Sequence, residues 1–229
     1  MKAMLLAAGR GERMRPLTDA CPKPLLEVGG KPLIVWHLER LRRAGFRSVV
    51  INHAWLGHMI ERTLGDGAGF GLRIDYSAEG TALETAGGIA RAAPLLGDAP
   101  FLVVNADLYC DFDFGRARTI AAQMTITGAC AWLVMTPNPP HNPRGDFTLA
   151  GGRVSDEGKH RFTFSGIGVY LPMLFAGIGR GSRARLAPLL REAMARGAVA
   201  GERFDGRWVD VGTPQRLAAL DRELRAQPG

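Results

Sequence analysis

Short apolar runs recur through the first half of the chain, each followed by a turn and then by a stretch with helical spacing. Lys2-Ala3-Met4-Leu5-Leu6-Ala7-Ala8, Ser48-Val49-Val50-Ile51-Asn52 and Phe101-Leu102-Val103-Val104-Asn105 are three such runs. Unbroken apolarity over so few residues predicts strands buried on both faces. Leu72-Arg73-Ile74-Asp75-Tyr76 alternates, as a strand should. Lys31 to Ala44 predicts a helix, with Pro32 in its first turn and Gly45 closing it. Leu33, Trp36, His37, Leu38 and Leu41 line one side of that helix. Leu56 to Leu64 and Glu84 to Ala93 predict two more. The order βαβαβαβ specifies an α/β fold: a Rossmann-like open sheet, mixed but mostly parallel, flanked by helices. Ligands of such sheets lie beyond the carboxyl ends of the strands, where Gly9, Asn105 and Asp107 fall.

The second half is less regular. Phe114 to Thr125 predicts a helix, Ala129 to Met135 a strand, and Pro137 to Pro143 a loop. Asp146 to Leu149 and Arg153 to Ser155 form a hairpin across Gly151-Gly152. Phe162 to Tyr170 is a long strand broken by glycines, a pattern of close backbone approach to a ligand. A helix over Leu186 to Arg196 and a strand over Arg207 to Val211 follow. Thr213-Pro214 caps a final helix to about Leu224. With no repeat, low-complexity tract or linker, one domain over residues 1–229 is expected, its nucleotide-binding half ending near residue 112.

The first apolar run ends in Gly9-Arg10-Gly11-Glu12-Arg13. A glycine turn at the carboxyl edge of a sheet presents backbone N–H groups that can cradle phosphate. Arg13, Arg15 and Lys23 add three cations close by. Met14 stands where a dinucleotide fingerprint needs its third glycine, and Pro32 follows Gly30-Lys31 where a Walker A loop needs Ser or Thr. Asp107 and Asp210 each close an apolar strand; with phosphate oxygens and water they make an octahedral Mg²⁺ site. The plainer role for each is a helix N-cap, although Thr213 is the better cap beside Asp210. Asp111-Phe112-Asp113 has the Asp-x-Asp form of metal-dependent glycosyltransferases, but Asp113 reads more simply as a helix cap. Glu79-Gly80 and Thr85-Ala86-Gly87-Gly88 form a second glycine-rich place where backbone groups could read a base edge, with Gly88 allowing close approach. His53 could serve as a base; a structural histidine at a strand end is the plainer reading.

A net charge of +7 favours anionic partners. The basic residues are dispersed without interleaved aromatics, which argues against nucleic acid. Lysines occur only at 2, 23, 31 and 159, so Lys23 in the phosphate-rich stretch stands out. No run approaches the ~20 apolar residues that span a bilayer, and the first residues read as a strand, so no membrane and a cytoplasmic location are expected. Cys21, Cys110 and Cys130 are odd in number and far apart, which suggests neither a disulfide frame nor a zinc site.

The run Leu6-Ala7-Ala8-Gly9-Arg10-Gly11-Glu12-Arg13-Met14-Arg15-Pro16-Leu17-Thr18, followed by Pro22-Lys23-Pro24-Leu25, resembles the signature of the sugar-1-phosphate nucleotidylyltransferases. Glu79, Glu84-Thr85-Ala86-Gly87-Gly88, Asn105-Ala106-Asp107, Phe164-Ser165-Gly166-Ile167 and Trp208-Val209-Asp210-Val211-Gly212-Thr213 fall in that family's order. The resemblance implies a GT-A-like nucleotidyltransferase fold, with no C-terminal β-helix, and a sugar-binding half over about 113–229. It implies that Ala8, Gly9, Gly11 and Glu12 hold the nucleotide, that Arg13 and Lys23 hold its triphosphate, and that Glu79, Gly80 and Gly88 recognise the base. Asn105, Gly145 and Ser165 would contact the sugar, and Asp107 and Asp210 would bind Mg²⁺. Arg13, Lys23 and Asp107 would carry catalysis.

Two departures stand out: Ala106 where the family has Gly, and a missing Glu-Lys-Pro motif, whose lysine contacts the sugar phosphate. Lys159 lies in a comparable region, and Arg185 could serve instead. Asn52-His53-Ala54-Trp55-Leu56-Gly57, Gly145-Asp146-Phe147 and Leu186-Ala187-Pro188-Leu189-Leu190-Arg191 are similar to members that make UDP-N-acetylmuramate from UTP in cell-wall recycling. They are also similar to short mannose-1-phosphate guanylyltransferases. The implied partners are a nucleoside triphosphate and a sugar 1-phosphate, for a monomer or small homo-oligomer. Against this stand a glycosyltransferase using Asp111 and Asp113, and a nucleotide-sugar sensor without activity, which would not need Lys23 and both aspartates.

Overall fold

The computed structural model describes residues 1–226. The chain opens with β1 (Ala3–Leu6), the single turn α1 (Leu17–Ala20), and a ribbon of β2 (Glu27–Val28) and β3 (Lys31–Pro32). Then come α2 (Leu33–Arg43), β4 (Ser48–His53), α3 (Gly57–Leu64), β5 (Arg73–Ala78), α4 (Glu84–Leu96) and β6 (Phe101–Asn105). The second half contains β7 (Leu108–Cys110), α5 (Arg116–Thr127), β8 (Ala131–Thr136), the hairpin β9 (Phe147–Ala150) and β10 (Arg153–Ser155), and β11 (Arg161–Tyr170). It ends with α6 (Leu186–Ala195), β12 (Val199–Arg203), β13 (Trp208–Asp210) and α7 (Pro214–Ala226).

One nine-stranded sheet runs through both halves in the order β5-β4-β1-β6-β11-β8-β12-β10-β9. Its first four strands are parallel. β11 then lies antiparallel to both β6 and β8, and β12 returns parallel to β8. The parallel character read from the sequence is therefore continuous only in the first half, with β8 and β12 the parallel pair of the second. β1 lies between β4 and β6 with Leu6 level with both Asn52 and Asn105. This register puts three strand ends at one height along the carboxyl edge.

The apolar runs are buried on both faces, as their lack of alternation requires. Ala3, Leu5, Val49, Ile51, Leu102 and Val104 face the side covered by α2, α3 and α5. Met4, Val50, Phe101 and Val103 face the side covered by α4 and α6. On α2, Ile34, Leu38 and Leu41 are wholly buried, each worth roughly 1.5–3 kcal/mol of apolar transfer.

α4, α5 and β12 are among the elements that depart from the sequence reading, as are α1, β2, β3 and β7, which carried no signal there. α4 runs through Pro94 to Leu96, giving up one backbone hydrogen bond in its last turn. α5 starts at Arg116, since Phe114 is drawn into the core and the Asp113 carboxylate accepts the Gly115 N–H at 2.8 Å, just before the helix. β12 carried no apolar signal because Gly201 sits in it. A Cβ there would lie 2.6 Å from both the Leu133 carbonyl oxygen and Val154 Cγ2.

Candidate active site

Three adjoining cavities open along the carboxyl edge of the sheet, and Asn105 lines all three. The first, of about 310 Å³, is lined by Ala8, Gly9, Asn52, Glu79 and Asp107 among others. The second, of about 270 Å³, includes Arg13, Asp107, His141, Ser165, Trp208 and Asp210. The third and largest, of about 740 Å³, includes Arg144, Gly145, Phe164, Arg185 and Leu190.

The first cavity is organised by a chain of hydrogen bonds across three strand ends. The Ala7 N–H donates to Asn52 Oδ1 at 3.0 Å, Asn52 Nδ2 donates to Glu79 Oε1 at 2.6 Å, and the Leu83 N–H donates to Glu79 Oε2 at 2.8 Å. A Cβ at Gly88 would lie 2.4 Å from Glu79 Oε1 and 2.8 Å from Asn52 Nδ2. Gly88 therefore makes room for this pair, whereas the sequence reading had it make room for a base. Gly80 is exposed in the left-handed region, at φ +71°. Glu84 has the same backbone form at φ +62° without being glycine, and it lines both the first and third cavities. Strain of this kind persists where surrounding structure holds it. Here Arg183 Nη2 donates to Glu84 Oε1 at 3.0 Å.

The loop after β1 is braced from outside. Arg10 donates to the Thr18 carbonyl and to Asp19, and its guanidinium stacks 3.9 Å from the Trp55 ring centroid. Trp55 Nε1 donates to the same Thr18 carbonyl at 3.0 Å. The hydrogen bond from Arg10 holds the Asp19 carboxyl below its ordinary range. Arg15 also turns to Asp19, and exposed Glu12 pairs with Arg15 and Arg10. Gly11, at φ +70°, turns the loop where a Cβ would press on Thr18 and Lys23. Arg13 lines the second cavity and has no ion-pair partner among the described residues.

Lys23 is 6% exposed, and its Nζ donates to Asp107 Oδ2 at 2.6 Å. Asp107 lies two residues beyond the end of β6, after Ala106, and Asp210 ends β13. Because β13 pairs with β7, Asp210 stands level with Leu108, beside Asp107. Asp210 Oδ2 accepts from Arg216 Nη1 at 2.7 Å and lies 3.1 Å from His141 Nε2. Thr213 Oγ1 accepts the Arg216 N–H, so Thr213 is the cap and Asp210 is free of that duty. Arg216 and His141 carried no motif; only proximity in the folded chain reveals them.

Asn105 is packed against a break in β11. Gly166, at φ +79°, lies where pairing with β8 shifts register, and a Cβ there would sit 2.5 Å from Asn105 Nδ2. The Ser165 hydroxyl, expected at the sugar, donates instead to the Val134 carbonyl at 2.7 Å and so fixes the bulge. Trp208 Nε1 donates to the Ser165 carbonyl at 2.9 Å, which ties β13 to the same point. Gly145 turns the wall of the third cavity at φ +63°, and Arg185 stands on its rim.

Two sequence candidates lie elsewhere. Asp111 and Asp113 line a separate cavity with Arg40 and Arg43 that shares no lining residue with these three. His53 is buried, with Nε2 2.7 Å from Glu61 Oε1, and its ring fills the place a side chain at Gly57 would need.

Residues 2–145 match the family model described as nucleotidyl transferase. The chain belongs to the nucleotidyl transferase family. It is 57% identical to the N-acetylmuramate alpha-1-phosphate uridylyltransferase of Neisseria meningitidis, over 95% of each chain. It is 35% identical to the enzyme of the same name from Caulobacter vibrioides, over 97% of this chain and 96% of that one. Among solved structures, a Bacillus anthracis protein described as a glucose-1-phosphate thymidylyltransferase superposes with a TM-score of 0.86. It covers 100% of this chain and 97% of its own, and at 20% identity the likeness is one of fold. As a nucleotidyl transferase the chain is a sugar-1-phosphate nucleotidylyltransferase, and the glycosyltransferase reading of Asp111 and Asp113 falls away.

Proposed function

We propose that the protein transfers a uridylyl group from UTP to N-acetylmuramate 1-phosphate, forming UDP-N-acetylmuramate and releasing pyrophosphate. The near full-length likeness to the Neisseria relative carries this choice of substrates. The setting would be the recycling of cell-wall sugars in the cytoplasm.

The nucleotide lies in the first cavity, with Ala8, Gly9 and Gly11 as its cradle and Arg13 and Lys23 on its phosphates. The sugar lies in the third, and the two phosphates meet between them. A phosphate oxygen of the sugar attacks the α-phosphorus in line, and pyrophosphate leaves. That oxygen is already anionic, so no general base is needed. The protein must bring two anions together and neutralise charge at phosphorus. Buried Lys23 does this without reorganisation, because Asp107 already fixes it.

Asp107 and Asp210 fit a magnesium ion: both line the second cavity, where Lys23 and Arg216 each engage Oδ2. No group of three or more His, Cys, Asp or Glu poised for a metal occurs among the described residues. Two carboxylates that leave room for water and substrate oxygens suit Mg²⁺. When bound there, the ion would supply positive charge to the reacting phosphates.

The test is pyrophosphate release by the purified protein, with each nucleoside triphosphate crossed against N-acetylmuramate, N-acetylglucosamine, glucose and mannose 1-phosphates. Release with UTP and the muramate is expected, and chelation of Mg²⁺ should abolish it. Release with GTP and mannose 1-phosphate would keep the reaction and replace the substrates. Silence across the panel would overturn both.

A further inference from the structure

The third cavity carries more positive charge than a neutral sugar needs. Four arginines line it: Arg144, Arg161, Arg185 and Arg191. Two are committed. Arg161 and Arg191 both hold Asp156, and Arg161 also donates to the Asp146 carbonyl. The carboxylates of the same wall are committed as well. Asp146 accepts the Phe164 N–H at 2.8 Å and an Asn142 amide hydrogen at 3.2 Å, and Glu84 is taken by Arg183. Arg185 remains 3.8 Å from Glu84 and is 77% exposed, and Arg144 has no ion-pair partner among the described residues. The phosphates meet other cations, since Arg13 lines the second cavity and Lys23 holds Asp107 there. Among the described residues Arg144 is thus left without a carboxylate partner and Arg185 with only its long contact to Glu84, so both can meet an anion carried on the sugar. Beside them the wall is apolar, with Phe147, Phe164, Leu186 and Leu190.

We infer that Arg144 and Arg185 form a subsite for a carboxylate carried on the sugar, with the apolar wall taking an adjoining methyl group. A guanidinium is matched to a carboxylate by its planar fork. This rests on the proposed muramate substrate, whose lactyl ether carries one carboxylate and one methyl. The arrangement makes the pocket selective, because a sugar without the acid forgoes both guanidinium contacts.

The test compares N-acetylmuramate 1-phosphate with N-acetylglucosamine 1-phosphate, which lacks only the lactyl group. Both are measured with UTP for the wild-type protein, Arg144→Met, Arg185→Met and Arg144→Lys. UTP binding, followed by calorimetry, checks that each variant is folded. In each Met variant kcat/KM for the muramate should fall about 10- to 100-fold, largely through KM, and the preference over N-acetylglucosamine 1-phosphate should fall with it. Arg144→Lys should recover part of the loss. An equal fall for both sugars would overturn the inference, because it would assign these arginines to the shared phosphate or ring. An unchanged muramate preference would overturn it too. If the wild-type protein uses another sugar phosphate and not the muramate, the proposed function fails first, and the subsite fails with it.

Discussion

Lys23 Nζ lies 2.6 Å from Asp107 Oδ2, a contact between residues 84 apart in the chain. It joins the loop after β1 to the chain just beyond β6, so the cation proposed to meet phosphate is set by the carboxylate that would meet the metal. Lys23→Ala should lower kcat on the order of 10²-fold or more, the size of loss expected for a positioned electrostatic contact. Asp107→Asn should abolish turnover while far-ultraviolet circular dichroism stays unchanged. Near-normal turnover in Asp107→Asn would remove the metal assignment.

Gly88 is expected to resist even the smallest side chain. A methyl group 2.4 Å from Glu79 Oε1 must displace the Asn52–Glu79 pair that spans the strand ends. Gly88→Ala should lower stability by about 2 kcal/mol, the range of core overpacking. KM for the nucleotide should rise as well, because the wall of the first cavity moves. Urea unfolding and initial rates measure the two effects separately.

Gly166 combines two demands: φ of +79° and a neighbour, Asn105 Nδ2, at 2.5 Å from any Cβ. Gly166→Ala should cost about 3 kcal/mol, part from the left-handed backbone and part from the overlap. A urea midpoint unchanged from wild type would show that Asn105 is not held against the bulge.

His37 gives the fold an acid sensitivity. Its ring is buried, Nε2 donates to the Leu108 carbonyl at 2.7 Å, and burial pushes its pKa down to about 4. The Leu108 bond and the Asp107 charge oppose this, and Arg40 adds to it. The unfolded state therefore binds the proton first as pH falls, and stability declines between roughly pH 6.5 and pH 4. The loss across that window is about 3 kcal/mol. His37→Gln keeps a donor for Leu108 without the titration, so its stability should fall less steeply over that window. Urea midpoints at stepped pH compare the two proteins.

Much of this was legible from side-chain type alone. The buried strands are unbroken apolar runs, and Gly9, Asn105 and Asp107 fall at their ends because a parallel sheet puts loop residues there. The Lys23–Asp107 contact was not legible, since nothing local links positions so far apart. The Ser165 hydroxyl bond to the Val134 carbonyl, inside the bulge that Gly166 makes, was not legible either, because it depends on how β11 pairs with β8. Arg216 and His141 were missed because an arginine on a helix and a histidine in a proline-rich loop look solvated until Asp210 is folded between them. The need for glycine at position 88 was legible, whereas the Asn52–Glu79 pair that it admits was not.

The pairing of β13 with β7 has a consequence for synthesis. A growing chain halted before Trp208 already holds the parallel strands, the loop after β1 and both Lys23 and Asp107. It lacks the strand that delivers Asp210 beside Leu108. Domains fold as units as the chain emerges, earlier segments first. Both carboxylates are in place only once the chain has been made through Asp210.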